Sequence, residues 1–205
     1  MKKAAISLST EEKIQAAARK IFTSKGYAAT RTRDIAEEAG INLALLNYYF
    51  RSKKKLFELV MLENFGQFVT GIKTVVNDTS TTLEQKIDRL VNFYIDQLMV
   101  NRDLPLFVLN EIRSNAQLLT SKGMNKDILL KSHFMQQLTA ELKRRKKTIH
   151  PLHLVMNTFS MTIFPFLASP IILELGVLKE QEFRKLMEER RRLVPAWLKN
   201  QLLAG

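Results

Sequence analysis

Residues 32–51 read TRDIAEEAGINLALLNYYFR, and the way this stretch folds decides the architecture of the chain. Ile35, Ala36 and Ala39 recur at helical spacing on one face, and Gly40 supplies the positive φ that stops a helix. Asn42 is placed to cap a second helix carrying Leu43 to Phe50. Two helices that cross steeply need a small side chain where their backbones approach, and Ala36 provides it, with Ile35, Ile41 and Leu46 closing the wedge. Two structures satisfy this pattern. One is a helix-turn-helix, whose second helix lies in the major groove of DNA; the other is a plain αα-hairpin inside a helical bundle.

The flanks favour the first. Upstream, Ser9-Thr10-Glu11-Glu12 forms a capping box, and Ile14, Ala17, Ala18, Ile21 and Phe22 then make a single apolar stripe. Gly26 ends that helix and Tyr27 packs back under it, so a third wall buries the wedge. Thr30-Arg31-Thr32-Arg33 opens the next helix, where hydroxyls, free N–H groups and guanidiniums converge as a phosphate site requires. Downstream, Arg51-Ser52-Lys53-Lys54-Lys55 repeats the device, with Ser52 as a candidate cap. A cationic cluster on each side of the recognition helix is the arrangement that clamps two phosphate backbones across one groove.

The net charge is +12, and residues 1–60 hold 12 Lys and Arg against 6 Asp and Glu, whereas residues 61–205 hold 20 against 14. The N-terminal segment is the denser positive source, as an anionic polymer partner requires; solubility alone is the competing reason for such a charge. An apolar content of 46% with only 7 Gly and 5 Pro predicts long helices and few loops. The absence of Cys excludes disulfides and thiolate metal sites and fits a reducing cytoplasm. Residues 1–9, MKKAAISLS, are too short for a secretory apolar region. Residues 148–173 carry no Asp, Glu, Lys or Arg and are long enough to span a bilayer. Pro151, Asn157, Pro165 and Pro170 in that stretch, and the lack of a second span, favour a buried or subunit-interface helix and no membrane partner.

Periodicity predicts an all-α chain of about nine helices, divided into residues 1–55 and 56–205. A long helix runs from about 53 to 76, a polar break follows, and further helices cover about 82–101, 105–119, 124–147, 151–175 and 179–203, the last broken at Pro195. Phe93, Phe107, Phe134, Met135, Met156 and Phe159, with Met124, Met161 and Phe164, are soft, bulky residues able to line a cavity for a small apolar or amphipathic effector. The same spacing serves an ordinary core. The run Lys143 to Lys147 reads as cations at a helix C-terminus, or as an anion-binding patch. His133, His150 and His153 are the only imidazoles, and neither a nucleophile elbow, a Gly-rich phosphate loop nor HExxH is present. These observations predict no catalytic residues, no cofactor and no metal, although His150 and His153 could share an ion.

Taken together, Ala17 to Phe22, Lys25-Gly26-Tyr27, Thr30, Asp34-Ile35-Ala36, Ala39-Gly40-Ile41, Asn47 to Phe50 and Ser52 to Phe57 resemble the TetR/AcrR family of transcriptional repressors. The resemblance covers about the first 60 residues. It implies a three-helix helix-turn-helix domain joined to a helical ligand-binding and dimerisation domain, in a cytoplasmic regulator without enzymatic activity. A homodimer of this kind would repress transcription by binding a palindromic double-stranded DNA operator with half-sites about 34–36 Å apart. By the same resemblance Thr32 and Arg33 hold phosphates or a base, Asn42, Leu43, Ala44 and Tyr48 face the groove, and Asn47, Tyr49 and Lys53 contact the backbone or flanking bases. Asn47 could pair with adenine or serve as an internal cap. The chain departs from the common family pattern in carrying Ala44-Leu45-Leu46-Asn47 where Gly-Thr and Leu-Tyr are frequent, so apolar contact with thymine methyls weighs more. The uncharged helix after Pro151 and the Trp197-bearing helix are the dimer candidates, and an effector would act by swinging the long fourth helix. The alternative is a helical protein with no DNA-binding role, such as a small enzyme or a membrane-surface protein.

Overall fold

Capping and apolar periodicity generate eleven helices and no strand among the residues described by the structure, a computed structural model covering residues 9–114 and 116–203. The reading of residues 1–8 as a non-secretory start lies outside the described residues. The chain divides into two compact units, one ending at Asn64 and the other beginning at Phe65. The division expected from the sequence at residues 55 and 56 and the one at Asn64 and Phe65 both lie within one continuous helix, residues 53–77.

In the N-terminal unit, α1 (Thr10–Ala29) starts at the expected capping box: the Glu12 N–H donates to Ser9 Oγ at 3.2 Å and the Ser9 N–H to Glu12 Oε2 at 2.7 Å. Gly26, at φ 73°, breaks the helical path near its end. Helices α2 (Thr32–Glu38) and α3 (Leu43–Tyr49) follow, and α4 (Lys53–Asn77) begins behind Ser52, whose Oγ receives the Lys55 N–H at 3.2 Å. Ile14, Ala18, Phe22, Ile35, Ala36, Leu46, Phe50 and Leu56 form the core of this unit. Lys25 and Lys20 of α1 pair with Asp34 and Glu38 of α2 at 3.0 and 2.6 Å, fixing the approach of the two helices. The ring of Tyr27 does pack back, onto Phe57 at 4.6 Å and Phe22 at 6.3 Å.

The C-terminal unit is arranged around α5 (Leu83–Val100), which packs against α9 (His133–Arg144), α10 (Leu152–Glu174) and α11 (Glu180–Leu203). Two charged clasps tie α11 to α5: Lys199 to Asp88 at 2.7 Å, and Arg191 to Asp96 at 2.6 Å. At the start of α5, the buried Lys86 ammonium donates to the Asp78 and Thr81 carbonyls and to Thr81 Oγ1. A buried cation is tolerated when its donors are used in this way.

Three helix assignments are corrected. The helix expected at 105–119 is α6 (Leu104–Ser114) followed by α7 (Ala116–Ser121). That expected at 124–147 is α8 (Lys126–Leu130) and then α9. Ser132 separates the latter pair, donating to the Leu129 carbonyl at 3.3 Å while accepting the Met135 N–H at 3.2 Å, so its hydroxyl ends one helix and caps the next. Conversely, α11 continues through Pro195. A proline removes one N–H from the ladder, and here the burial of Val194 and Leu198 on either side offsets that loss. With two additional helices from these divisions, the count rises from nine to eleven among the described residues.

Candidate nucleic-acid interface and effector cavity

Helix α2 ends in a left-handed turn of defined geometry. Gly40 has φ 67°, its N–H donates to the Glu37 carbonyl at 3.1 Å, and the Ile41 N–H reaches back to the Ala36 carbonyl at 3.0 Å. This pair of bonds is a Schellman motif, and it reverses the chain at no side-chain cost because glycine has none. Asn42 then accepts the Leu45 N–H on Oδ1 at 2.8 Å and starts α3. Leu46 and Phe50 turn inward with 1% and 8% of their surface exposed, which leaves the opposite face of a seven-residue helix in solvent.

On that outer face Ala44, Asn47 and Tyr48 stand at positions i, i+3 and i+4, all exposed, and Tyr48 keeps 78% of its surface. Tyr49 is 41% exposed and meets Tyr48 edge-on at 5.4 Å. Leu43 is half-buried. Asn42 is exposed, and with one lone pair of its carbonyl oxygen engaged by the cap it keeps its amide NH2 and a second lone pair for another molecule. Arg33 is exposed and Thr32 half-buried at the start of α2. There, Asp34 accepts from the Lys25 ammonium and the Arg31 N–H, and these bonds, the lysine's foremost, hold its carboxyl below the usual range.

Lys53, to which the resemblance gives a contact with the DNA backbone or flanking bases, is half-buried and engaged within the chain. Its ammonium donates to the Tyr27 carbonyl at 2.9 Å and the Thr30 carbonyl at 3.0 Å, and lies 4.3 Å from the centroid of the Tyr27 ring. Two of its three donors are thereby spent closing the chain where α1 gives way to α2. The exposed cations of that cluster are Arg51, Lys54 and Lys55, of which Lys54 is 3.7 Å from Glu58. The sequence marked this cluster but could not rank its members, because the carbonyls that claim Lys53 lie 26 and 23 residues away.

In the C-terminal unit a cavity of about 380 Å3 is lined by α4, α5, α6, α8, α9 and α10. Phe65, Phe68, Tyr94, Leu98, Phe134 and Phe159 are among its walls, and among the described residues no Lys, Arg, His, Asp or Glu lines it. The exposed lining residues Leu109, Ile112, Met124 and Asn125 mark its opening. Of the expected lining residues, Phe134, Phe159 and Met124 are present. Phe93, Phe107, Met135 and Met156 are not, nor are Met161 and Phe164. Phe93 is held against Gly71, where a Cβ would stand 2.2 Å from its ring, and it stacks on Phe68 at 5.5 Å behind the wall. Phe107 and Met135 are buried in ordinary packing, and Met156 points outward with 61% of its surface exposed. Periodicity identified α4, α5 and α10 as apolar but not which apolar side chains face the void.

The other candidate sites are structural. His150 Nδ1 accepts the Leu152 N–H at 3.2 Å at the start of α10, and among the described residues no group of three or more metal-binding side chains occurs. In the basic run, Arg144 and Arg145 both hydrogen-bond Glu141, at 2.7 and 2.6 Å, as cations ending a helix. Helix α10 is long and apolar enough to cross a membrane, but Leu154, Val155, Thr158, Thr162, Phe166 and Ser169 are buried within this unit.

Residues 14–60 match the bacterial regulatory proteins of the tetR family. Over 98% of its length the chain is 26% identical to the Bacillus subtilis (strain 168) protein named Probable HTH-type transcriptional regulator YttP, covering 97% of that protein. Over 52% of its length it is 32% identical to the HTH-type transcriptional repressor KstR2 of Mycolicibacterium smegmatis, covering 58% of it. The fold matches that of the transcriptional regulator FadR from Bacillus subtilis, solved in complex with stearoyl-CoA, with a TM-score of 0.53 at 17% identity over 89% of this chain and 96% of that one.

Proposed function

We propose that this chain is a member of the tetR family of bacterial regulatory proteins, a DNA-binding transcriptional regulator and not an enzyme, acting in the cytoplasm as a homodimeric, effector-responsive repressor; the match of residues 14–60 to that family supports the reading. The observation that carries the reading is the outer face of α3, where Ala44, Asn47 and Tyr48 stand exposed while Leu46 and Phe50 anchor the helix from behind. Arg33 before that helix and Arg51 and Lys55 after it are exposed and supply the phosphate contacts. Base contacts come from Asn47, Tyr48 and the methyl of Ala44, while Lys53 acts by holding the frame.

A single α3 reads only a few base pairs, so useful affinity requires two copies on a two-fold site. Met156, Phe164 and Ile171 of α10 and Trp197 of α11 are each more than 40% exposed, and a second copy covering them is the simplest use of such a surface. The apolar cavity receives the effector. Its uncharged walls suit an apolar or amphipathic molecule with a long chain, the class to which the stearoyl-CoA bound by the Bacillus subtilis fold relative belongs. Helix α4 contributes Phe65, Phe68 and Val69 to the cavity and Lys53 to the frame of the DNA-reading unit. An effector that binds one packing of α4 better than another shifts the population of DNA-competent dimers; equal affinity for both would shift nothing.

The test is a titration of the full chain with duplex DNA from the promoter of its own gene over a salt series. Binding is expected to weaken linearly on a log–log plot, with a slope of about −0.9 per phosphate neutralised. Tyr48→Ala is expected to change which sequences are preferred. Salt-insensitive binding, or none, overturns the reading.

A further inference from the structure

Tyr94 of α5 keeps 2% of its surface exposed and lines the effector cavity. Its ring meets Phe68 at 5.0 Å and Phe159 at 5.4 Å, both edge-on, and these two rings line the cavity as well. A phenol buried among aromatic rings ordinarily gives its O–H to a protein acceptor. The Tyr94 hydroxyl makes no hydrogen bond among the described residues. The other polar side chains of the wall are occupied. Ser132 donates to the Leu129 carbonyl and accepts the Met135 N–H, and Thr158 donates to the Leu154 carbonyl at 2.8 Å. Asn125, exposed at the opening, accepts the N–H groups of Asp127 and Ile128. Deep in the cavity, one donor is therefore left unused.

We propose that the Tyr94 hydroxyl is the donor that orients the effector, and that the effector is an apolar molecule carrying a neutral carbonyl-type acceptor (ketone, ester, thioester or amide) in its buried part. This rests on the cavity being the effector site. An unmatched hydroxyl in an apolar wall is costly, and an acceptor brought by the ligand removes that cost, which makes the contact selective. A buried carboxylate would meet no countercharge from the described residues of the lining, which include no cation. Burial pushes the phenol well above its ordinary pKa, so the hydroxyl remains a donor throughout the physiological range.

The experiment compares the full chain with Tyr94→Phe, using dodecan-2-one and dodecane delivered at one fixed cyclodextrin concentration and read by displacement of an apolar naphthylamine dye. The substitution is expected to weaken the ketone about fivefold, the worth of one net hydrogen bond, and to leave dodecane within twofold. The thermal midpoint without ligand is expected to stay unchanged or rise, because no protein hydrogen bond is lost. An equal effect on both probes, no effect on the ketone, or a lowered midpoint overturns the role of Tyr94 while leaving the cavity as effector site. If neither probe displaces the dye from the unsubstituted chain, the cavity reading falls and this proposal with it.

Discussion

Lys53 and Arg51 are two residues apart and have opposite uses. The Lys53 ammonium is tied to the carbonyls of Tyr27 and Thr30, whereas the Arg51 side chain is exposed. Lys53→Met is expected to lower unfolding stability by roughly 1–2 kcal/mol, since two carbonyls lose a charged donor, and denaturant titration measures this. Arg51→Ala is expected to leave stability unchanged and to reduce the salt slope of DNA binding by about 1, the signature of one lost phosphate contact. A second residue-scale effect concerns Glu141. Hydrogen bonds from Arg144 and then Arg145 hold its carboxyl down to about 2, against 4.5 ordinarily. Because the folded value lies below the unfolded one, the associated stability is present above about pH 4.5 and is lost as the pH falls towards 2. Unfolding curves between those pH values are expected to flatten in Glu141→Gln.

At the scale of the element, the recurring device is the Schellman terminus. Helices α2, α9 and α10 all end with it, through Ile41 N–H to Ala36 O, Lys147 N–H to Leu142 O, and Val177 N–H to Ile172 O, each 2.9–3.1 Å long. Two of the three place glycine at the left-handed position, Gly40 at φ 67° and Gly176 at φ 66°, while α9 uses Lys146 at φ 55°. An L side chain there is strained, so Lys146→Gly is expected to stabilise the chain by about 1 kcal/mol in thermal or denaturant unfolding. The glycine-terminated end of α2 was legible in the sequence, because glycine announces the turn. The break between α8 and α9 was not, since Ser132 is as common inside a polar helix face as at its start, and only its two bonds to Leu129 and Met135 show which role it has.

For the whole molecule, the exposed apolar face of α10 and α11 carries the dimer argument. Phe164 keeps 64% of its surface exposed, and the Arg190 guanidinium lies 5.6 Å from the ring centroid of the 41% exposed Trp197. A dimer of this 23.7 kDa chain is expected to scatter light as about twice that mass. Phe164→Glu is expected to return the mass to that of one chain and to weaken operator binding steeply, because a charge cannot be buried against its own symmetry copy without a partner. A dimer that survives this substitution would place the interface elsewhere.

The amino-acid sequence by itself determined the helix starts at Ser9, Asn42 and Ser52, the stops at Gly26 and Gly40, the inward set Ile35, Ala36, Leu46 and Phe50, and the likeness of residues 14–60 to the tetR family. These depend on contacts a few residues apart or on periodicity along one helix, which a linear reading contains. Only the tertiary structure decided that Lys53 donates to the Tyr27 and Thr30 carbonyls, that Phe93 lies behind the cavity wall, and that the Tyr94 hydroxyl has no hydrogen-bond partner among the described residues. Each of those outcomes is set by a neighbouring helix whose position in the sequence says nothing about its position in space.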